Sequence, residues 1–366
     1  MVLDGHHPDT IARAADALAQ GQLIGLPTET VYGLAADADN PSAVAQIFAA
    51  KGRPADHPLI VHVADAQGHP QGPSAAMAHY AQAVPVFAQQ LIEAFWPGPL
   101  TLILPCRPGI AQAATGGQAT IGLRCPAHPV AQALLQACLQ RQPPIWGLAA
   151  PSANKFGRIS PTTAAHVASE FGADLLVLDG GACAVGIEST IIDCTRGVPV
   201  LLRPGAITRD DIARVCGQRP LSKEELSAHT PRASGTLLAH YAPNAKVRLM
   251  GTEQLRSALQ LLGREAPALA VYHRSPLTRP APGIALRAMP HNALAAAQQL
   301  FSDLRDLDAL GVPLIWVEAP PESADWEGVR DRLERAAAAG SGAVVKPRAA
   351  ALGKRGLNPQ SARCGQ

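Results

Sequence analysis

The chain has 366 residues and a mass of 38.0 kDa, with 47% apolar and 16% charged residues. At about 100–200 residues per domain that length suits two domains, and the apolar share excludes disorder over the whole chain. The 31 Lys and Arg against 29 Asp and Glu leave a formal charge of only +2, which disfavours nucleic-acid binding by overall charge but leaves room for a local basic patch.

The first helix is expected from Asp9 or Thr10 as cap, with Ile11, Ala14, Ala15 and Leu18 on one face and Gly21 as the stop. A strand over Gln22–Leu26 then runs into Pro27-Thr28-Glu29-Thr30. Asn40-Pro41 starts a helix strongly, because Asn caps and Pro suits the first turn; Lys51-Gly52 ends it. Next come a strand over Leu59–Val63, one long helix over about 75–95, a break at Trp96-Pro97-Gly98-Pro99 and a strand over Leu100–Leu104. Further strands are read at 120–123, 175–178, 190–194 and 198–202, with a helix over 127–140. Several strands follow one another without a helix between them, so a mixed α/β (α+β) sheet fits better than regular alternation.

From Gly217 to about Ala245 the periodicity lapses, which marks a linker between a first domain at 1–216 and a second at 246–340. The second reads strand 247–250, helix 253–262, strand 269–272, helix 292–309, strand 314–317, helix 326–339, the order of a small parallel sheet. Residues 341–366 form a basic tail, read either as disordered or as an arm touching RNA. No apolar run approaches the roughly 18 residues that span a bilayer, and Met1–Gln20 does not read as a signal peptide. The seven cysteines form no C-x-x-C pair. Scattered reduced thiols in a cytoplasmic protein, with no membrane association, are the expectation.

Several common chemistries lack their motifs. Gly181 to Gly186 has the glycine spacing of a P-loop but continues Ile187-Glu188, without the lysine that reaches phosphates. No G-x-G-x-x-G, H-E-x-x-H or G-x-S-x-G occurs, and the histidines lack metal spacing. What remains is a set of polar clusters at strand and helix ends. Lys51-Gly52-Arg53-Pro54 offers two cations beside a glycine, suited to a polyphosphate or simply to a helix C-terminus. Ser152-Ala153-Asn154, followed by Ser160-Pro161-Thr162, offers amides and hydroxyls at a helix start, with Ser160 as the expected cap. Glu188-Ser189-Thr190 enters a strand and Arg203 leaves the next one. His62 sits in an alternating strand, where a half-buried histidine is the ordinary finding. Arg124 could clamp a carboxylate or pair with an internal acid.

In this order the clusters resemble the threonylcarbamoyl-AMP synthase family in its long form. The matching segments are Pro27–Leu34, Lys51–Pro54, His57–His62, Phe95–Thr101, Arg124–Pro129, Ala150–Asn154, Ser160–Thr162, Glu188–Thr190, Leu202–Gly205 and His240-Tyr241-Ala242-Pro243. The resemblance implies a YrdC-like catalytic domain with a mixed twisted sheet around a basic cavity, followed by a small Rossmann-like domain. It implies a nucleotidyltransferase that joins L-threonine, bicarbonate and ATP into threonylcarbamoyl-AMP and pyrophosphate, for tRNA threonylcarbamoyladenosine modification beside the anticodon. The tRNA threonylcarbamoyl transferase machinery would accept the product, and Mg²⁺ would arrive with ATP without a dedicated protein cage.

By the same resemblance Thr30, His62, Arg124, Ala150 and Ser189 hold threonine. Lys51, Arg53, His57, Thr120, Ser152, Asn154, Ser160, Arg203, His240 and Tyr241 hold ATP, with Lys51 and Arg53 as the catalytic cations. The linker around His240-Tyr241 is expected to close over the nucleotide. Two departures stand out: His57 where relatives often carry Asn, and Ala233-Ser234-Gly235-Thr236 where they begin the linker differently. The alternatives are a double-stranded RNA or tRNA-binding module with weak RNA contact, and carbamoyl transfer from carbamoyl phosphate on the same fold.

Overall fold

Ten strands form one mixed sheet and four form a second, fully parallel one, in a computed structural model that describes residues 1–64, 75–222, 225, 232–233, 235, 239–262, 268–277 and 283–340. The tail at 341–366 and the linker residues Ser234 and Thr236–Leu238 lie outside the described residues. Across the large sheet the strands run Val2–Asp4, Leu176–Asp179, Ile24–Leu26, Gly33–Asp37, Leu148–Ala149, Ile60–His62, Thr120–Arg124, Leu100–Pro105, Thr190–Asp193 and Val200–Arg203.

Strand periodicity explains how this sheet is covered. Leu34, Ala36, Ala149 and Val177 belong to one apolar cluster, while their strand neighbours Ala35, Leu148, Leu176 and Leu178 belong to another. Alternate side chains point to opposite faces, so both faces are buried. One cluster packs under helices Pro41–Lys51 and Val86–Phe95, the other under helices Pro8–Ala19 and Pro129–Leu139. The second domain repeats the pattern: Ala270 and Tyr272 face one cluster, Leu269 and Val271 the other. Its strands order as Lys246–Met250, Leu314–Glu318, Leu269–His273, Ile284–Ala288.

Local chemistry sets the helix that matters most for the site. The Asn40 side chain accepts from the Ser42 and Ala43 amides, Pro41 fills the first turn, and Gly52 ends the helix at φ 65°. That left-handed cap leaves Lys51 in the last turn and Arg53 just beyond it.

The structure corrects several element readings. Residues 75–95 form two helices, Ala75–Tyr80 and Val86–Phe95, because Pro85 lacks an amide hydrogen and forces Val84 away from helical geometry. Ser160 caps no helix: Thr163 does, bonding the His166 amide, while the Pro161 carbonyl accepts from the Tyr32 amide. The first helix starts at Pro8, capped by the His7 ring. Strands Val2–Asp4, Gly33–Asp37, Leu148–Ala149 and Ile284–Ala288 escape sequence reading. They are short or rich in Gly and Ala, so pairing rather than propensity makes them strands.

Candidate active site

Parallel pairing places His62 opposite Arg124 at the ends of adjacent strands, although 61 residues separate them in the chain. This is the end of a sheet where open α/β folds leave a crevice. Arg124 is 4% exposed and donates from Nη2 to Glu29 Oε1 at 2.6 Å, from Nη1 to Thr30 Oγ1 at 2.8 Å and from Nε to the Gly98 carbonyl at 3.2 Å. A guanidinium has five N–H groups, so two remain for a ligand. Thr28 donates its hydroxyl to the Val31 carbonyl at 2.6 Å, which makes Thr30 the donor in their 2.9 Å hydroxyl pair. Burial, with the Arg124 charge behind it, pulls the His62 ring down to about 3, so the imidazole is neutral at pH 7. Its buried Nδ1 has no hydrogen-bond partner.

A second wall is cationic. Lys51 donates from Nζ to the carbonyls of Ser152 and Asn154. Burial first, then the neighbouring Arg53, holds its ammonium well below the usual lysine range. Arg53 bonds the Pro58 carbonyl at 3.0 Å and lies 5.9 Å from the Phe156 ring centre, and burial lowers it to about 10. Arg203 donates from Nε to the Ser189 carbonyl at 3.0 Å and from Nη2 to its hydroxyl at 3.1 Å; that hydroxyl also bonds Thr101 at 2.7 Å. Lys51, Arg53, Arg124 and Arg203 face a single carboxylate, Glu188, among the described residues lining this cavity. The cavity is therefore built for an anion.

The roof comes from the last residues of the linker. His240 and Tyr241 are 6% and 1% exposed, and Tyr241 takes a left-handed φ of 62° that a bulky side chain rarely adopts. The His240 ring meets Phe156 edge-on at 6.2 Å, and Tyr241 packs 5.4 Å from Phe301 of the second domain. Burial brings His240 down to about 3.

Comparison with known proteins agrees with this arrangement. A family model described as "Telomere recombination" matches residues 16–205, and one described as "Threonylcarbamoyl-AMP synthase, C-terminal domain" matches residues 207–338. Threonylcarbamoyl-AMP synthase of Pyrococcus abyssi is 36% identical over 88% of this chain and 92% of its own length. The Bacillus subtilis enzyme is 36% identical over 89% and 92%. The chain belongs to the threonylcarbamoyl-AMP synthase family. It is thus an enzyme, a transferase with a YrdC-like domain. The crystal structure of P. abyssi Sua5 complexed with L-threonine superposes with a TM-score of 0.81 at 34% identity, covering 93% of this chain and 98% of that one. A form of the same protein with a histidine and the following tyrosine replaced by alanine matches at 0.81 and 33%, covering 93% and 97%.

Among the residues that the family resemblance singled out, Thr30, Lys51, Arg53, His62, Arg124, Ala150, Ser152, Asn154, Ser189, Arg203, His240 and Tyr241 line one cavity. Three do not. His57 is half-buried with its ring edge-on to Phe156 at 5.8 Å. Thr120 lines an adjoining hollow with Gln118 and Arg232. Ser160 is fully buried and donates its hydroxyl to Glu188. Sequence reasoning missed Phe156, Thr28, Glu29 and Glu188 as parts of the site, although all but Phe156 stand inside motifs it quoted. No helix among the described residues is long and apolar enough to cross a membrane.

Proposed function

We propose that this enzyme makes threonylcarbamoyl-AMP and pyrophosphate from L-threonine, bicarbonate and ATP, supplying tRNA threonylcarbamoyladenosine synthesis in the cytoplasm. The carrying observation is the cavity itself, where four cations and a ring of hydroxyls surround a neutral histidine. The L-threonine complex of P. abyssi Sua5 supports the amino-acid half of the reading.

Threonine's amine combines with bicarbonate to give a carbamate and water. A carbamate oxygen then attacks the α-phosphorus of ATP, and the bond to the β-phosphate oxygen breaks to release pyrophosphate. No enzyme-bound intermediate is required, so the work is alignment and charge neutralisation. Arg124, with two free N–H groups, takes the threonine carboxylate. Thr30, His62, Ala150 and Ser189 shape the rest of that pocket, and a neutral His62 adds no charge to repel the substrate's ammonium. Lys51, Arg53 and Arg203 meet the phosphates, with Ser152 and Asn154 beside them. A phosphate next to Lys51 opposes the burial effect and favours its charged form. Ser160 acts through Glu188, and His57 and Thr120 stand behind the contact layer.

Magnesium, which screens phosphate charge and orients the leaving group, would ride on the nucleotide's own oxygens and water. Glu188 at the cavity wall, and Glu29 behind Arg124, are already held by guanidinium groups. His240 and Tyr241 would close over the nucleotide and keep water from the mixed anhydride. The tRNA-modifying transferase machinery would take the product.

Purified protein with ATP, Mg²⁺, bicarbonate and L-threonine should release pyrophosphate and form a labile threonine–AMP adduct. Omitting any one substrate should abolish both. Release that is indifferent to threonine or to bicarbonate would overturn the reading.

A further inference from the structure

Glu188 sits awkwardly in a site for polyphosphate. It is 6% exposed, lines the cavity and interacts with the charges of Arg203 and Lys51, two of the cations that phosphates need. Left without another partner, a buried carboxylate there would repel phosphate and draw Arg203 to itself.

Its partner comes from the second domain. Arg332, on helix Glu327–Gly340, is fully buried and donates from Nε to Glu188 Oε2 at 2.8 Å and from Nη2 to the Glu188 carbonyl at 3.1 Å. Its Nη1 bonds the Pro204 carbonyl at 2.7 Å, and its guanidinium carbon lies 5.4 Å from the Tyr241 ring centre. Ser160 holds the other Glu188 oxygen. The helix is seated tightly enough that a Cβ on Gly328 would come within 2.8 Å of Ile187. One side chain thus ties the residue before Ser189, the residue after Arg203 and the aromatic roof to the C-terminal domain. Burial alone would raise the Glu188 carboxyl; Arg332, Arg203 and the Ser160 hydroxyl together bring it down to about 2.

We propose that Arg332 is a positioning residue for nucleotide binding. By neutralising and anchoring Glu188 it keeps Arg203 and Lys51 available to the polyphosphate, which makes a docked C-terminal domain part of a competent ATP site. The proposal rests on the reading of the cavity as an ATP-plus-threonine site.

The test measures ATP and L-threonine affinity by calorimetry in the full chain. Arg332→Met should weaken ATP binding by about tenfold or more, with threonine affinity changed less than about threefold. Arg332→Lys, which keeps the charge, should recover most of the loss. Glu188→Gln removes the charge that needs neutralising, so adding Arg332→Met to it should change ATP affinity less than about threefold. That last pair decides the matter even if Arg332→Met alone fails to fold, since neither member leaves a buried carboxylate unpaired. An equal loss of ATP affinity in the Glu188→Gln background overturns the proposal, as does a folded Arg332→Met protein that binds ATP normally. Absence of ATP binding by the unaltered protein instead overturns the synthase reading, and this inference with it.

Discussion

Arg124 has a structural attachment to Glu29 and a proposed one to the threonine carboxylate, and they separate by substitution. Its bond to Glu29 is a buried ion pair, so Arg124→Ala strands a carboxylate and should lower stability by about 3–5 kcal/mol in urea unfolding. Arg124→Ala with Glu29→Gln should regain much of that stability while the threonine requirement stays raised far above the ATP requirement. A double variant with normal threonine affinity would remove Arg124 from the substrate site. His62 and His240 report on a different residue-scale effect. Both are held neutral, down to about 3 against an ordinary 6.5, chiefly by burial. The unfolded chain therefore takes up protons that the fold refuses, and stability falls as pH drops below 6.5 toward 3. Each histidine contributes about 1.4 kcal/mol per pH unit in that window. His62→Gln and His240→Gln should each flatten the slope of unfolding free energy between pH 6 and 4.5 by about that amount. An unchanged slope would mean that the rings already titrate in the folded protein. At this scale the sequence exposed the candidate letters, since Thr30, His62 and Arg124 stand in quotable motifs. It left Arg124 open between a carboxylate clamp and an internal pair, because the nearness of Glu29 depends on how the Pro27–Thr30 loop meets the neighbouring strand.

Elements were legible wherever local chemistry decides them. The Asn40 cap, Pro41 and Gly52 announce a helix with both ends marked, and the structure has those ends. Two glycines show where local reading stops. A Cβ on Gly52 would meet nothing within 4 Å, so Gly52→Ala carries only the left-handed backbone penalty, roughly 1 kcal/mol. Gly186 also has a positive φ, of 80°, but a Cβ there would lie 2.4 Å from the Gln298 Cα of the second domain. Gly186→Ala should therefore destabilise far more than Gly52→Ala in urea unfolding, and limited proteolysis should find the C-terminal domain released. Equal effects would show that the docking surface yields easily. The helix misread at 75–95 failed for a related reason. Its apolar spacing suits one helix, and Pro85 overrides that spacing by denying one bond and by forcing Val84 out of helical geometry.

Over the whole molecule, the two sheets are joined around the site rather than beside it. Val31, Ile159 and Ile187 of the first domain share an apolar cluster with Leu300, Phe301 and Leu304 of the second. Arg305 pairs with Glu170 at 2.9 Å and Arg209 with Glu327 at 3.3 Å, fastening the same interface at two more points. Since Ile187 and Ile159 adjoin Glu188 and Ser160, any loosening of the C-terminal domain reaches the cavity wall within one residue. The Arg332 substitutions probe that coupling directly.

The sequence by itself determined the mixed and parallel sheet classes, the caps around Lys51 and most of the polar letters that line the cavity. Each of those is written in neighbouring residues: an alternation of two, a cap and its helix, a cation beside a turn glycine. Only the tertiary structure decided that Glu188 would meet Arg332, 144 residues away, and that Ser160 would serve a carboxylate instead of a helix. It also decided that Gly33–Asp37 would be a strand. Those outcomes follow from docking and strand pairing, which bring together groups whose local sequence carries no sign of one another.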